Sequence, residues 1–346
     1  MSKRRALYML FHYPSITEAY IEAEIRAVSE WYDVLVIATD EDPKGVTYYN
    51  NHSPYKMVHE REGMLREIRA FQPHVIHAHR LFMLPTMMPI CIELGIPFTV
   101  RSHAHDAFPS RDPRVADWLR QSSSVLTKAT RSDLCLGILA FPFTRKYLKD
   151  WGVPEEKIFD CSAVIDFHRF YDESANGSAI VNSGSYMPKK GMEDFLELGR
   201  RMPHLEFKLY SLSSRMHHID ELKEKNRRLG SHVSIMDPVQ PEMMPGEFKK
   251  AQWMVYTADP ILANVCWPVS IAEAQASGVG VCMRNIRPDL RDYVGESGFL
   301  YNSLDEVEAI ISHPFDQGLR SKGFEQARKS DVFAHREILL GLWDST

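Results

Sequence analysis

The sequence predicts an α/β protein made of two successive parallel-sheet halves, and three observations carry that expectation. Its strand candidates are continuous apolar runs, not alternating ones, as sheets covered on both faces require. Those runs take turns with segments of helical spacing, the pattern of βαβ units. The 346 residues, set against a usual domain of roughly 150, give two domains. The polar stretch Asp172 to Ser178, with its Asn176-Gly177 pair, reads as the linker.

The elements follow in order. Ala6 to Phe11 is an apolar run of strand length, closed by Tyr13-Pro14. Ser15 and Glu18 have capping-box spacing and open a helix. In it Ala19, Tyr20, Ala23, Ala27 and Val28 form the packed side, with Glu22, Glu24, Arg26 and Glu30 largely on the solvated one. Val34 to Ala38 completes the first βαβ unit. The pattern continues through a polar loop near 43–56, a helix over 60–71, a strand over His74 to His79 and a helix over 83–94; after Gly95-Ile96 a strand runs from Pro97 to Arg101. Ser124 to Thr127 and Lys157 to Val164 are the remaining strand candidates of this half, and the boundary falls near 166–178. The second half offers strands at Ala179 to Ser183, Phe207 to Tyr210, Val233 to Met236, Trp253 to Tyr256 and Gly280 to Met283, and a helix over Met192 to Met202. Phe324 to Trp343 reads as a polar helix and then an apolar one, with Phe333, Ile338, Leu339, Leu342 and Trp343 on its packing side.

Composition narrows the function. With 44% hydrophobic and 25% charged residues, disordered, collagenous and coiled-coil classes fall away. A formal charge of -5 gives no global reason to expect nucleic acid as a partner. Lys3, Arg4 and Arg5 form the basic cluster that a peripheral membrane contact would use. Five cysteines, odd in number and without Cys-x-x-Cys, argue against a disulfide framework or zinc knuckle and for a reducing, cytoplasmic setting. Leu81 to Leu94 is broken by prolines and a glutamate, short of the ~18 apolar residues of a membrane span.

No Walker loop, G-x-G-x-x-G or G-x-S-x-G occurs, which removes the simplest support for ATPase, NAD-dependent and serine-hydrolase chemistry. Gly184-Ser185-Tyr186-Met187-Pro188-Lys189-Lys190-Gly191 follows a buried-strand candidate and precedes a helix. Such a loop can aim backbone N–H groups and a lysine at a phosphate; an ordinary turn with two solvated lysines is the alternative. Pro268 to Gly278 is a small-residue helix with one carboxylate, Glu273. That carboxylate could accept two ribose hydroxyls beside the free N–H groups of the helix start, or could simply interact with the helix dipole.

Four separated segments, in order, resemble motifs of the retaining, nucleotide-sugar-dependent glycosyltransferases of the GT-B fold, glycosyltransferase family four. Tyr13-Pro14-Ser15-Ile16-Thr17-Glu18-Ala19-Tyr20-Ile21 is similar to F-P-x-x-S-E-T-F-I, and Gly95 to Asp106 resembles G-I-P-F-x-x-T-A-H-x-x-D. Gly184 to Gly191 is the third, and Pro268 to Gly278 is similar to the P-x-x-x-x-E-A-x-A-x-G helix. The resemblance implies two Rossmann-like domains with parallel sheets facing across an interdomain cleft. An acceptor-binding domain would span 1–168 and a nucleotide-sugar-binding domain 169–325, with the terminal helix 326–346 returning to the first.

The implied activity is transfer of a hexosyl or related sugar from a nucleotide diphosphate-sugar, UDP- or GDP-linked, to a hydroxyl acceptor with retention, without an obligatory metal or other cofactor. The resemblance places His103 and Asp106 at the transferred sugar. It assigns Ser185, Lys190 and Gly191 to the diphosphate loop, Ser270, Ile271 and Glu273 to the donor with Glu273 on the ribose, and Ser15, Thr17 and Glu18 to the acceptor or phosphate loop. Lysine and helix N–H groups would supply charge compensation for the leaving diphosphate.

Two positions depart from the family pattern: Ser185 stands where an arginine is usual, and Val265 where the first of two glutamates is usual. Arg215, Arg284 or Arg287 could supply the missing charge, and a catalytically impaired sugar- or nucleotide-binding relative is the alternative. A second enzyme reading rests on His77, His79, His103 and His105, whose His-x-His spacing puts each pair on one strand face, as in a metal-dependent hydrolase.

Overall fold

The computed structural model describes residues 3–40, 49–107, 124–212, 216–262 and 265–344. It divides into two units, Met1–Val164 with Val332–Thr346, and Ile165–Asp331.

In the first unit, strand β1 (Arg4–His12) shows why the strand runs are continuous. Leu7 and Met9 point into one apolar layer, while Ala6, Tyr8 and Leu10 point into another, so alternation puts a buried side chain on both faces. Strands β2 (Tyr32–Asp40), β3 (Tyr55–Met57), β4 (Val75–His79), β5 (Phe98–Arg101), β6 (Cys135–Ala140) and β7 (Ile158–Asp160) complete a seven-stranded sheet in the order β3-β2-β1-β4-β5-β6-β7. All the pairs are parallel; Ala6 lies opposite Val34 on one side and Val75 on the other. Helices α2 (Arg61–Phe71) and α3 (Leu84–Leu94) bury Met64, Leu65, Ile68, Met87 and Ile90 in the first layer. Helix α1 (Ala19–Ser29) and the C-terminal helix, Val332–Trp343, bury Ile21, Ile25, Val28, Leu339 and Trp343 in the second.

Several expectations for this unit are corrected. Residues 124–130 are helical, not a strand: Leu126, Ala129 and Thr130 are buried at helical spacing. The strand beyond it is β6, whose Gly137 hides its β character, because the ring of Phe159 would lie 2.5 Å from a Cβ there. The loop expected near 43–56 ends in the edge strand β3, and its residues 43–48 lie outside the described residues. The capping box does not form, since Ser15 makes no side-chain cap bond and a single 3-10 turn, Ile16–Glu18, precedes α1. Glu22 and Glu24, expected on the solvated face of α1, are buried.

The second unit has strands β8 (Ala179–Ser185), β9 (Phe207–Leu212), β10 (Val233–Met236), β11 (Ala251–Tyr256), β12 (Gly280–Arg284) and β13 (Gly298–Tyr301). Their order is β10-β9-β8-β11-β12-β13, again all parallel. Phe195, Leu198, Phe207, Leu209, Trp253, Val255 and Tyr301 form its core. Helices α4 (Met192–Arg201), α5 (Val269–Ala276) and α6 (Gln317–Arg328) flank the sheet. Strand β13 was not anticipated, because four residues starting at a glycine carry little periodic signal. In each sheet the chain leaves the middle in opposite directions, between β1 and β4 and between β8 and β11. Such switch points open a crevice at the carboxyl ends of the strands.

Candidate functional site

The switch point of the first unit holds a fully buried polar cluster. Parallel pairing of β1, β4 and β5 sets Tyr8 beside His77 and His77 beside Thr99. His77 and His79, two residues apart on β4, share the face that α1 covers, and α1 brings Glu24 to them. Glu24 Oε1 lies 3.2 Å from His77 Nε2 and 3.1 Å from His79 Nε2, and Oε2 lies 2.6 Å from the Arg101 guanidinium. Burial alone would push the Glu24 carboxyl up, but Arg101 and the two histidines hold it well below the usual carboxylate range.

From there a line of hydrogen bonds runs outward. His79 Nδ1 is 3.0 Å from His103 Nε2, and His103 Nδ1 is 2.8 Å from the Tyr20 hydroxyl. It also runs inward, from His77 Nδ1 to Thr99 Oγ1 at 2.7 Å, which accepts from Trp343 Nε1 at 3.0 Å. Burial lowers the pKa of all three histidines, that of His79 to about 4, so at neutral pH the rings are uncharged.

The four histidines proposed for a metal do not converge. His105 turns back to bond the carbonyl of His103 at 3.1 Å, and the His103 ring bonds His79 and Tyr20. Glu24, His77 and His79 do bring ligand atoms within 4.8 Å of one another. That carboxylate is already neutralised by Arg101, and each of these donors has a hydrogen-bond or ion-pair partner within the cluster.

Asp106 is wholly buried and committed to the loop: it accepts from Ser102 Oγ at 2.6 Å, from the His103 N–H at 3.0 Å and from the Leu81 N–H at 2.7 Å. Both of its oxygens accept from the loop, and one of them holds the His103 backbone N–H. The loop is held in left-handed backbone at Arg80, φ 76°, and at Ala104, φ 62°, conformations that non-glycine residues adopt only when their surroundings impose them. Glu18 pairs with Arg80, while Ser15 Oγ sits 3.3 Å from Thr17 Oγ1. Ser15 is buried and Thr17 exposed.

In the second unit the loop after β8 and the start of α5 leave the switch point side by side, joined where Ser270 Oγ donates to the Ser183 carbonyl at 3.2 Å. Gly184 has φ 151°, and a Cβ there would stand 2.4 Å from Lys190 Nζ; only glycine lets the lysine lie across the loop. Thr257 and Asp259, beyond β11, bond the carbonyls of Lys190 and Lys189 at 2.7 and 2.9 Å. Lys190 makes no ion pair among the described residues; burial, with Lys189 adding to it, pushes its ammonium down to about 8, and the Tyr256 ring lies 5.6 Å from it. Glu273 likewise has no hydrogen bond among the described residues, and burial pushes its carboxyl up to about 7. Gly191, φ 52°, ends the turn against Ala258.

The other expected donor residues behave differently. Ile271 is packed in the interior with its N–H on the Pro268 carbonyl at 3.0 Å. Ser185 closes β8, and its hydroxyl has no hydrogen bond among the described residues. Val265 is buried, its carbonyl held by Arg287, which also grips Asp289 at 2.8 and 3.0 Å. Arg284 lies 3.6 Å from Asp194. Neither arginine stands uncommitted to replace the missing charge, and Arg215 lies outside the described residues. Sequence reasoning missed Glu24, Arg101, Tyr20 and Trp343. A carboxylate on the apolar side of α1 and an arginine closing an apolar strand were the signals that could have revealed the first two.

Two parallel α/β units, each with its loop cluster at a sheet switch point, define the architecture of the GT-B glycosyltransferases. Residues 18–160 match the family model described as Glycosyltransferase Family 4. No curated protein matches the sequence significantly. Sucrose-phosphate synthase (tll1590) from Thermosynechococcus elongatus shares the fold at a TM-score of 0.77 and 13% identity, covering 99% of this chain and 100% of its own. Anabaena Alr3699/HepE in complex with UDP does so at 0.77 and 14%, covering 99% and 100%. The glycosyltransferase from Rickettsia africae ESF-5 gives 0.71 and 11%, covering 99% and 98%. The chain thus has the GT-B fold. No helix among the described residues is long and apolar enough to cross a membrane.

Proposed function

We propose that this protein is a glycosyltransferase that moves a hexosyl or related sugar from a UDP- or GDP-linked donor to a hydroxyl acceptor, with retention and without an obligatory metal. The reading rests on one observation above the others. On the loop after β8 and on helix α5, which leave one switch point, stand a cation, Lys190, and a carboxylate, Glu273, both desolvated and neither in an ion pair or side-chain hydrogen bond among the described residues. Buried charges are costly unless something compensates them, and a nucleoside diphosphate offers the complement of both. Its phosphates restore the charged lysine, and its ribose hydroxyls donate to Glu273. His103, held by Asp106 and His79, would stand at the transferred sugar. We place the reaction in the cytoplasm, where the five cysteines, none of them in a disulfide, would stay reduced. The basic residues 3–5 give a membrane contact little support: Lys3 bonds the Ser29 carbonyl, Arg4 pairs with Asp344 and Arg5 reaches Gln72.

The test is calorimetric titration with UDP, GDP, ADP and CDP, each with and without EDTA. One nucleotide should bind equally well in chelator, and Glu273→Ala should weaken it by about tenfold or more, the worth of hydrogen bonds to a charged group. His103→Ala should leave nucleotide affinity unchanged while slowing transfer. Unchanged affinity in a folded Glu273→Ala variant would refute the donor site. A second reading, a relative that binds nucleotide without transferring sugar, is favoured by Val265 and by the engagement of Arg284 and Arg287. It predicts tight nucleotide binding and no release of nucleotide from any sugar donor.

A further inference from the structure

The buried cluster of the first unit carries more than the placement of His103. A carboxylate can only accept hydrogen bonds, so the single ionised group at its centre dictates where every proton sits. His79 Nε2, 3.1 Å from Glu24 Oε1, must carry a hydrogen; in the neutral ring Nδ1 is then a bare lone pair. His103 Nε2, 3.0 Å from that lone pair, must therefore donate, which leaves His103 Nδ1 as an acceptor. Tyr20, 2.8 Å away, can satisfy it only by turning its one hydroxyl hydrogen inward. On the other branch His77 Nε2 lies 3.2 Å from Glu24 Oε1 without the geometry of a hydrogen bond, and His77 Nδ1 meets Thr99 Oγ1, which takes its own hydrogen bond from Trp343.

We propose that Glu24 is a positioning residue of the transfer site: through His79 it fixes His103 as the Nε2–H tautomer, and through His103 it makes the Tyr20 hydroxyl an obligate hydrogen-bond acceptor toward substrate. Tyr20 lies at the start of α1, part-exposed, where the resembling motif carries phenylalanine. Its phenol has one hydrogen, and of the two acceptors that face it, His103 Nδ1 at 2.8 Å and Glu18 Oε1 at 3.4 Å, the nearer takes it. A ligand group meeting it must then donate, as a sugar or acceptor hydroxyl can and a carboxylate or phosphate cannot. The lowered pKa values of the three histidines support the relay by keeping every ring neutral. The part played toward substrate rests on the glycosyltransferase reading; the tautomers do not.

The experiment is 15N NMR of histidine ring nitrogens in the ligand-free full chain, with His103 assigned by the loss of its signals in His103→Gln. His103 should appear as Nε2–H in the wild type. Glu24→Gln should reverse the chain. Arg101 holds the Oε2 side of residue 24, so the amide oxygen faces Arg101 and the NH2 group faces the two histidines. His79 then becomes the acceptor at Nε2 and the donor at Nδ1, and His103 shifts to Nδ1–H. Tyr20→Phe, which leaves the relay intact, should keep His103 as Nε2–H. Release of UDP from UDP-glucose, or of GDP from GDP-mannose, should fall in kcat by about tenfold or more in both variants with donor KM unchanged, as expected of misplacement at a reacting centre. An Nδ1–H tautomer of His103 in the wild type overturns the proposal whether or not any variant folds. So does an unchanged tautomer in folded Glu24→Gln, a flip in Tyr20→Phe, or zinc displacing the His77 and His79 ring protons in the wild type. Predicted tautomers with no turnover in the wild type would refute the catalytic part and leave the donor-site test above to judge the function separately.

Discussion

Lys190→Met separates a ligand-binding cation from a structural one, because the two roles predict opposite signs. An ordinary lysine titrates near 10.5, and burial with a neighbouring lysine brings Lys190 to about 8. Keeping it charged at neutral pH therefore costs the folded unit roughly 3 kcal/mol, about half of which survives screening at the solvent-facing part of the side chain. Methionine keeps the length and removes the charge. In the absence of ligand the variant should be more stable by about 1–2 kcal/mol, raising the unfolding temperature of the second unit by about 3–6 °C, while its affinity for the nucleotide falls at least tenfold.

The pH dependence follows from the sign of the shift. Between about 8 and 10.5 the folded state binds fewer protons than the unfolded one, so wild-type stability rises with pH there and the gap to the methionine variant closes. Differential scanning calorimetry across pH 7–11, with nucleotide titrations at pH 7, measures both effects. A variant less stable than wild type without ligand, or one binding nucleotide unchanged, would refute the reasoning.

Two further outcomes concern the first unit. Arg101→Met leaves Glu24 buried beside uncharged rings and should destabilise by about 3–5 kcal/mol at pH 7. Glu24 is held well below its usual value, so the stability it contributes with Arg101 is present above that range and disappears on acidification. The difference between variant and wild type should therefore shrink on acidification, first as the unpaired carboxyl of the variant protonates and then as Glu24 of the wild type does; denaturant unfolding at pH 7 and pH 3 checks it. Trp343→Ala removes a fully buried indole that packs on Tyr8, Tyr32 and His77 and donates to Thr99. A loss of about 3–5 kcal/mol is expected by chemical denaturation, and a loss under 1 kcal/mol would mean that the last helix adds little to this unit.

How far the site could be read in the sequence depended on how local its cause was. Lys190 and Gly191 lie within one turn, and the need for Gly184 comes from a lysine six residues away, so an eight-residue motif contains the whole device. Glu273 stands in one short helix of small residues. The buried cluster has no such compactness: Glu24 comes from α1, His77 and His79 from β4, Arg101 from β5 and Trp343 from the last helix. On periodicity alone Glu24 belonged with the solvated residues of α1, because helical spacing reports burial only when the buried residues are apolar. The misassigned strand at 124–127 has the same origin, since a short run of mixed residues takes its conformation from its neighbours.

By itself the sequence determined the alternation of buried strands with helices and the loop after β8, because each depends on contiguous residues obeying local sterics and apolar burial. Tertiary structure alone decided that Asp106 serves the loop and that Arg284 and Arg287 are already engaged. It alone placed a single carboxylate between two histidines and an arginine. These outcomes depend on distances between residues far apart in the chain, and the energy of a charge is set by what folding places within a few ångströms of it.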